Sequence, residues 1–152
     1  MKTIDILRQS APGLASLIET AGESKRRRVA VVVARTIVRR KGLSHPVIDR
    51  ALEELETSSL PDADLQARVQ AIARELDDEY FALKEPLEEQ GDAGKTDSKV
   101  SVAFSRARAA SAVAAALGDD AEEAAASSAY EAFSAIDDSD SLTVAVQKAL
   151  AI

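Results

Sequence analysis

Two charged stretches hold most of the side chains that could bind a partner in this 152-residue chain. The first is basic and consists of the run Lys25–Arg28 followed by Arg35, Arg39, Arg40 and Lys41. Lysine and arginine contact phosphates and release condensed counterions. Four of these residues are therefore candidate nucleic-acid ligands: Lys25, Arg28, Arg35 and Arg39. A turn and a helix starting at Pro46 follow, an order that is compatible with a helix-turn-helix arrangement.

Two features weigh against nucleic acid as the partner of this stretch. A recognition helix would begin at Val47–Arg50, which offers few side chains for reading base edges, and no aromatic platform for stacking bases accompanies the cluster. The chain is also acidic beyond the cluster: residues 1–50 have 11 Lys/Arg and 4 Asp/Glu (+7), whereas residues 51–152 have 8 and 22 (−14). We therefore expect the cations to pair with acidic helices of the same fold, and nucleic-acid binding is the alternative.

The second stretch is acidic and surrounds an aromatic side chain. Apolar residues recur every three or four positions, which predicts a long amphipathic helix with the buried stripe Leu65, Val69, Ile72, Leu76, Tyr80, Leu83 and Leu87. Phe81 falls on the opposite side of this helix, among acidic residues at Asp77, Asp78, Glu85 and Glu88. An exposed aromatic framed by carboxylates is a candidate hot spot for a basic partner, unless another helix of the fold covers it.

Patterns that would support catalysis or metal binding are missing from the sequence. There is no cysteine, and the only histidine, His45, stands next to Pro46 where a helix is expected to start. The chain has no phosphate-binding loop, dinucleotide fingerprint, nucleophile elbow or His-Glu zinc motif. The acidic segment Asp137–Asp140 lacks the glycine and closing glutamate of a calcium loop, so we interpret it as a turn. We expect no enzymatic activity, no cofactor and no metal site.

The elements that must position these residues are all predicted to be helices, in a compact all-α bundle of six or seven with mostly antiparallel neighbours. Pro12 interrupts a first helical region, Thr3–Thr20, and a cap at Ser24 with a stop at Gly42 defines a second helix. The valine-rich segment Val29–Val38 would also suit a buried strand. Its apolar residues share one broad arc of a helical wheel, however, which favours a central helix of the core.

The later elements and the overall organisation follow from turn signals. A helix cap is predicted at Thr96 or Asp97, and the spacing of Asp119 and Glu122 predicts a capping box. We expect one domain over residues 1–152, and the glycine-containing linker Gln90–Lys95 makes lobes 1–90 and 95–152 the alternative division. No secretory signal begins the sequence and no apolar run reaches the roughly 18 residues of a membrane span. A cytoplasmic location without a membrane partner is therefore expected.

Alanine occupies 18 of the 53 positions from Val100 to Ile152. The Ala-rich segments Ser105–Leu117 and Ala121–Tyr130 resemble paired helices of small bacterial immunity proteins, the partners of polymorphic or contact-dependent toxins. The resemblance covers the last third of the chain and is compositional. It implies a non-catalytic protein that binds a cognate toxin and covers its active surface. An acidic helical face would suit a basic toxin domain such as a nuclease.

Two other functions fit the same residues. A helical adaptor would pack its Ala-rich helices against a second copy of the chain, and a concentration-dependent mass would identify this homodimer. A nucleic-acid-binding regulator would use the basic helix of residues 25–41. Salt-sensitive binding to duplex DNA that is lost on charge reversal at Arg35 and Arg39 would identify it.

Overall fold

The structure consists of α-helices, as the apolar spacing predicts. The computed structural model describes residues 2–57, 62–89, 98–136 and 139–151, and within these ranges it contains eight helices and no strand. Their bounds are α1 Thr3–Ser10, α2 Pro12–Thr20, α3 Glu23–Lys41, α4 Pro46–Thr57, α5 Ala63–Glu89, α6 Ser98–Ala116, α7 Ala121–Ala135 and α8 Ser139–Leu150. The all-α class is confirmed, whereas the predicted number of six or seven helices is too low. The predicted linker and the cap at Thr96 or Asp97 lie outside the described residues.

The additional helix results from Pro12. The first helical region divides into α1 and α2 at Ala11, whose backbone (φ −143°, ψ 71°) is not helical. In a continuous helix, Pro12 would lack a donor for the carbonyl of Arg8 and its ring would clash with that group. At the first position of α2 the missing N–H matters little, because an amide there has no intrahelical acceptor.

The ends of α3 and α7 follow the predicted chemistry with small shifts in position. α3 begins after Gly22 rather than at a cap on Ser24, and no side chain caps it. It ends at Gly42, whose φ of 62° is a left-handed conformation that glycine adopts without strain. Asp120 caps α7 by accepting the N–H of Glu123 at 2.8 Å, so the cap lies one residue later than the predicted Asp119.

Helices α3, α6 and α7 form the centre of the bundle. α3 contacts α4, α6, α7 and α8, and its valine-rich segment is helical with Val29, Val33 and Ile37 fully buried. α6 and α7 contribute mainly alanines, among them the fully buried Ala110 and Ala125. Small side chains at the contacts let the helix axes approach closely. One apolar core includes side chains from all eight helices, on both sides of the predicted linker.

Helices α5 and α6 pack antiparallel. Gln66, early in α5, donates its Nε2 to the carbonyl of Ala114 late in α6 (3.0 Å), and the ring of Tyr80 lies 5.3 Å from that of Phe104. The connected core cluster includes α5 side chains as far as Leu76 and α6 side chains from residue 107 onward, whereas Val100 and Ala103 of α6 are buried outside it. Residues 77–89 and 98–106 therefore form an end of the helix pair that extends past the core, which we call the distal end.

Candidate partner-binding surfaces

The distal end exposes several large apolar side chains. Of the six exposed large apolar side chains among the described residues, three lie here: Phe81 is 57% exposed, Val102 55% and Leu83 37%. The sequence pattern placed Leu83 in the buried stripe, but that stripe is well buried only from Leu65 to Leu76. α5 continues past the core, so its last turns lack the packing that the periodicity anticipates. Phe81 faces solvent, as binding to a partner would require.

Phe81 is the outer member of a row of three aromatic rings. Its centroid lies 5.1 Å from that of Tyr80, which in turn lies 5.3 Å from Phe104 on α6, and both pairs are inclined at 56°. Tilted contacts at such distances are favourable. The ammonium of Lys84 lies 5.6 Å from the Tyr80 ring. The first of these contacts involves the exposed ring itself, and the other two hold Tyr80, against which that ring lies.

An ion-pair bridge joins three helices beside the aromatic row. Arg108 of α6 donates to Asp77 of α5 (2.6 Å) and to Glu131 of α7 (2.7 Å), and its guanidinium lies 5.8 Å from the ring of Phe104. Desolvation is the largest influence and lowers the pKa of Arg108, but the hydrogen bonds and charges of Asp77 and Glu131 together outweigh it. The pKa of Arg108 is therefore raised above its ordinary value. Asp77, one of the predicted partner ligands, is therefore already paired with Arg108 within the protein.

Asp78 and Glu85 are the predicted acidic ligands that remain accessible. Both side chains are exposed, and neither forms a hydrogen bond or ion pair with any part of the chain that the structure describes. Glu88 lies in α5, but its side chain is outside the described set. Among residues 74–87, whose side chains the structure describes, five are acidic and two are basic, which gives the surface around Phe81 a negative potential.

The basic cluster lines a groove of about 1080 Å³ between α3, α4 and α8, which we call the basic groove. Its described lining contains one carboxylate, Glu56, and six cations: Arg27, Arg28, Arg35, Arg39, Arg40 and Lys148. Its floor is apolar and includes Val31, Val32 and Leu55. Arg28, Arg35 and Arg39 are separated by seven and four residues, which puts them on one side of α3, and all three line the groove. Lys25 is exposed but does not line it.

The expected pairing of this cluster with acidic residues occurs at two positions that the structure describes. Arg26 lies 3.6 Å from Glu122, and Arg35 lies 2.7 Å from Glu56. Two other cluster members donate to uncharged oxygens: Arg27 to the carbonyls of Gly118 and Asp119, and Arg40 to the hydroxyl of Ser141. A bond to an uncharged acceptor satisfies a donor without neutralising its charge. The acidic helices therefore compensate this cluster less than the sequence led us to expect.

His45, the remaining candidate for catalysis, has a structural role. The Nδ1 atom of His45 accepts the N–H of Val47 at 3.1 Å, so the histidine caps α4. In the described ranges no three His, Cys, Asp or Glu side chains converge in a way that could hold a metal ion. The predicted turn at Asp137–Asp140 falls partly outside those ranges, and Asp140 lies in α8. None of the described helices is long and apolar enough to cross a membrane.

Sequence reasoning missed Arg108 and Lys148. A signal for Arg108 was present, because it stands between Ala107 and Ala109 in an Ala-rich helix, and a cation among apolar neighbours requires a counter-charge. Lys148 had no local signal. It joins the basic groove only because α8 packs against α3, with Arg28 near Ala149 at one end of the contact and Arg40 near Ser141 at the other.

The chain matches no family model, no curated protein and no solved structure. Any assignment of function must therefore start from the two surfaces themselves: the acidic distal end with Phe81, and the basic groove.

Proposed function

We propose that this protein binds another protein through the distal end of α5 and α6, with Phe81 as the anchor of the interface. The observation that carries the proposal is a phenylalanine that is 57% exposed and held by Tyr80 within an acidic surface. Exposing an aromatic ring to water is unfavourable, and a partner with a matching pocket would remove that penalty. Aromatic anchors in such pockets supply much of the free energy of many protein interfaces.

The charges around Phe81 favour a basic partner. Asp78 lies three residues before Phe81 and Glu85 four residues after it, so both carboxylates lie on the same face of α5 as the ring. A partner with lysines or arginines around an apolar pocket would pair with these groups while covering the phenylalanine. Attraction between oppositely charged surfaces mainly accelerates association and excludes partners of the wrong charge.

The specific form that we propose is an immunity-type inhibitor of a cognate bacterial toxin, acting in the cytoplasm. Two features support it: α6 and α7 have the Ala-rich composition of such proteins, and the acidic distal end would suit a basic toxin domain such as a nuclease. An inhibitor of this kind acts by covering the toxin's active surface. It needs no catalytic residue, cofactor or metal.

The test is affinity capture from the native cells after nuclease treatment, followed by measurement of binding to the recovered partner. Phe81→Ala should weaken binding at least about thirtyfold, because truncating an anchor costs about 2 kcal/mol or more. The double reversal Asp78→Lys with Glu85→Lys should slow association and weaken its dependence on salt. In cells that express the partner as a toxin, wild-type protein should restore growth and Phe81→Ala should not.

Matched control variants distinguish the loss of this interface from the general effects of removing an exposed apolar side chain or changing the net charge. Val144→Ala removes an apolar side chain that is 44% exposed on α8, and should leave binding unchanged. Asp49→Lys with Glu53→Lys makes the same change in net charge as the double reversal, at exposed positions on α4. Equal losses in the test and control variants, or full binding by Phe81→Ala, would contradict the proposal.

Self-association is the second candidate, and the exposure of Val102 and Leu83 favours it. Both residues line a shallow groove of about 400 Å³ at the distal end. Leu83 is two residues from Phe81, so the two side chains point to opposite flanks of α5. If two copies pair through this groove, the mass should rise with concentration, and Val102→Glu should abolish the rise while Phe81-dependent capture persists. A constant monomeric mass would exclude the homodimer.

A further inference from the structure

The basic groove has a shape and a floor that suit an extended partner. Its α3 wall runs from Arg27 to Arg40, a length of about 20 Å at the rise of an α-helix, which matches about 13 residues of a bound helix. The floor combines Val31 and Leu55 with Ala145 of α8, all of which are partly accessible. These helices, α3, α4 and α8, are different from the pair that carries Phe81.

The positive charge of the groove is only partly compensated. Arg27 and Arg40 donate to carbonyl and hydroxyl oxygens, which carry no charge. Arg39 and Lys148 are exposed and form no hydrogen bond or ion pair with residues in the described ranges. Glu56, the carboxylate of the described lining, is already bound to Arg35 at 2.7 Å. The like charges repel one another in the free protein, and an anionic occupant would relieve this repulsion.

We propose that the basic groove binds an acidic amphipathic α-helix of a partner protein. The apolar stripe of that helix, with anchors at intervals of three and four residues, lies on Val31 and Leu55. Its flanking carboxylates pair with Arg39 on the α3 wall and Lys148 on the α8 wall. Guanidinium groups suit this role because they bind carboxylates through two parallel hydrogen bonds. This interface goes beyond the one proposed for Phe81 and has the opposite charge.

Nucleic acid would satisfy the charge of the groove but not its floor. A phosphate backbone has no apolar surface to place on Val31 or Leu55. Proteins that bind single strands through such grooves stack the bases on aromatic side chains, and none occurs in the described lining. An acidic amphipathic helix matches both the rim and the floor, so the observations favour it.

The test uses the full chain and a fluorescent peptide of about 18 residues, with leucines at helical spacing and glutamates at the other positions. A scrambled peptide of the same composition keeps the charge but has no continuous apolar stripe. Fluorescence anisotropy should show that the amphipathic peptide binds at least about tenfold more tightly than the scrambled one. Phe81→Ala should bind the amphipathic peptide normally, which separates this proposal from the one for the distal end.

Paired charge reversals locate the binding site. Arg39→Glu with Lys148→Glu changes two exposed rim cations and should weaken binding at least about tenfold. Lys25→Glu with Arg50→Glu makes the same change in net charge at exposed residues outside the lining, and should alter binding less than about twofold. Circular dichroism confirms that each variant keeps its helix content.

Val31→Lys separates the proposed occupant from nucleic acid. The substitution adds a cation but removes part of the apolar floor, so peptide binding should fall, whereas any binding of duplex DNA should become tighter. If this variant fails to fold, the wild-type protein decides the question, because a helix on the apolar floor predicts tighter binding of the amphipathic peptide than of the scrambled peptide or duplex DNA.

Three results would overturn the proposal. Equal affinity for the amphipathic and scrambled peptides would show that the apolar floor of the groove does not contribute to binding. Duplex DNA that binds more tightly than the peptide, and more tightly still to Val31→Lys, would make the groove a nucleic-acid interface. A concentration-dependent dimer that Arg39→Glu with Lys148→Glu disrupts would make a second copy of this chain the occupant.

Discussion

The centre of the bundle and the distal end of α5 and α6 use side-chain size in opposite ways. In the centre, Ala110 and Ala125 are fully buried, whereas at the distal end Phe81 and Val102 are each more than half exposed. Hydrophobicity alone would place the larger side chains inside. Position along the helices decides instead, because Phe81 and Val102 lie where α5 and α6 extend past the core cluster and no described helix covers them. A buried apolar residue is explained by packing, and a large exposed one at the distal end calls for a partner.

The comparison is tested most strongly by one substitution made at both ends of α5. Leu65→Ala, at a position that is 2% exposed, should lower the free energy of unfolding by about 2–5 kcal/mol, because it removes buried apolar atoms and leaves a cavity. Leu83→Ala, at a position that is 37% exposed, should lower it by less than about 1 kcal/mol. Urea titration measures both. Equal losses would show that the distal end is packed as tightly as the core.

Enlarging an alanine tests the same difference from the opposite direction. Ala125→Leu adds three carbon atoms where the helices are in close contact, and should destabilise the protein by about 1–3 kcal/mol. Ala82→Leu makes the same change on an exposed turn of α5 and should have an effect within about 0.5 kcal/mol. Thermal unfolding followed by circular dichroism compares the two, and a tolerated Ala125→Leu would mean that α7 packs more loosely than the structure shows.

Arg108 lies where the two regions meet, and its removal should have an intermediate effect. Arg108→Ala leaves Asp77 and Glu131 without their shared cation, and should lower the free energy of unfolding by about 1–2 kcal/mol. Arg106→Ala, on the same helix but without an ion pair to the described residues, should change it by less than about 0.5 kcal/mol. Denaturant titrations at low and high salt give both values. Similar losses in the two variants would mean that the three-helix bridge adds no stability.

The smallest effect on stability is expected at Phe81. Because its ring is mostly in solvent, Phe81→Ala should change the free energy of unfolding by no more than about 0.5 kcal/mol. A loss of several kcal/mol would place Phe81 in the core and remove the basis for partner binding. The stability measurement and the capture experiment therefore test one residue in two independent ways.

Much of the fold was predictable because local signals define helices. The wheel of Val29–Val38 favoured helix over strand, and Pro12 and Gly42 fixed two boundaries through backbone constraints that do not depend on tertiary structure. The errors were also local. Ser24 has a good capping side chain, but it lies inside the first turn of α3. The sequence alone does not distinguish a helix that begins after Ser24 from one that begins at Glu23.

The surfaces were less predictable than the helices. A helical wheel places Phe81 opposite the apolar stripe of α5, and Phe81 is exposed in the structure. The wheel cannot show where α5 extends past the helices that pack against it, which leaves Leu83 exposed. In the sequence analysis, Asp77 and Asp78 are equally good candidates for partner ligands. Only the packing of α6 beside α5 brings Arg108 to Asp77 and leaves Asp78 accessible.

The sequence by itself determined the helical class, most helix boundaries and the separation of a basic stretch from an acidic one. These follow from periodicity, caps and charge, which act between residues near one another in the chain. Tertiary structure decided which charges are compensated and which apolar residues stay in water. A counter-ion or a covering side chain comes from another helix. Arg35 forms an ion pair with Glu56 on α4, whereas Arg39 forms none with the described residues. Whether a side chain is buried, paired or accessible depends on contacts between distant segments, and a single sequence does not specify them.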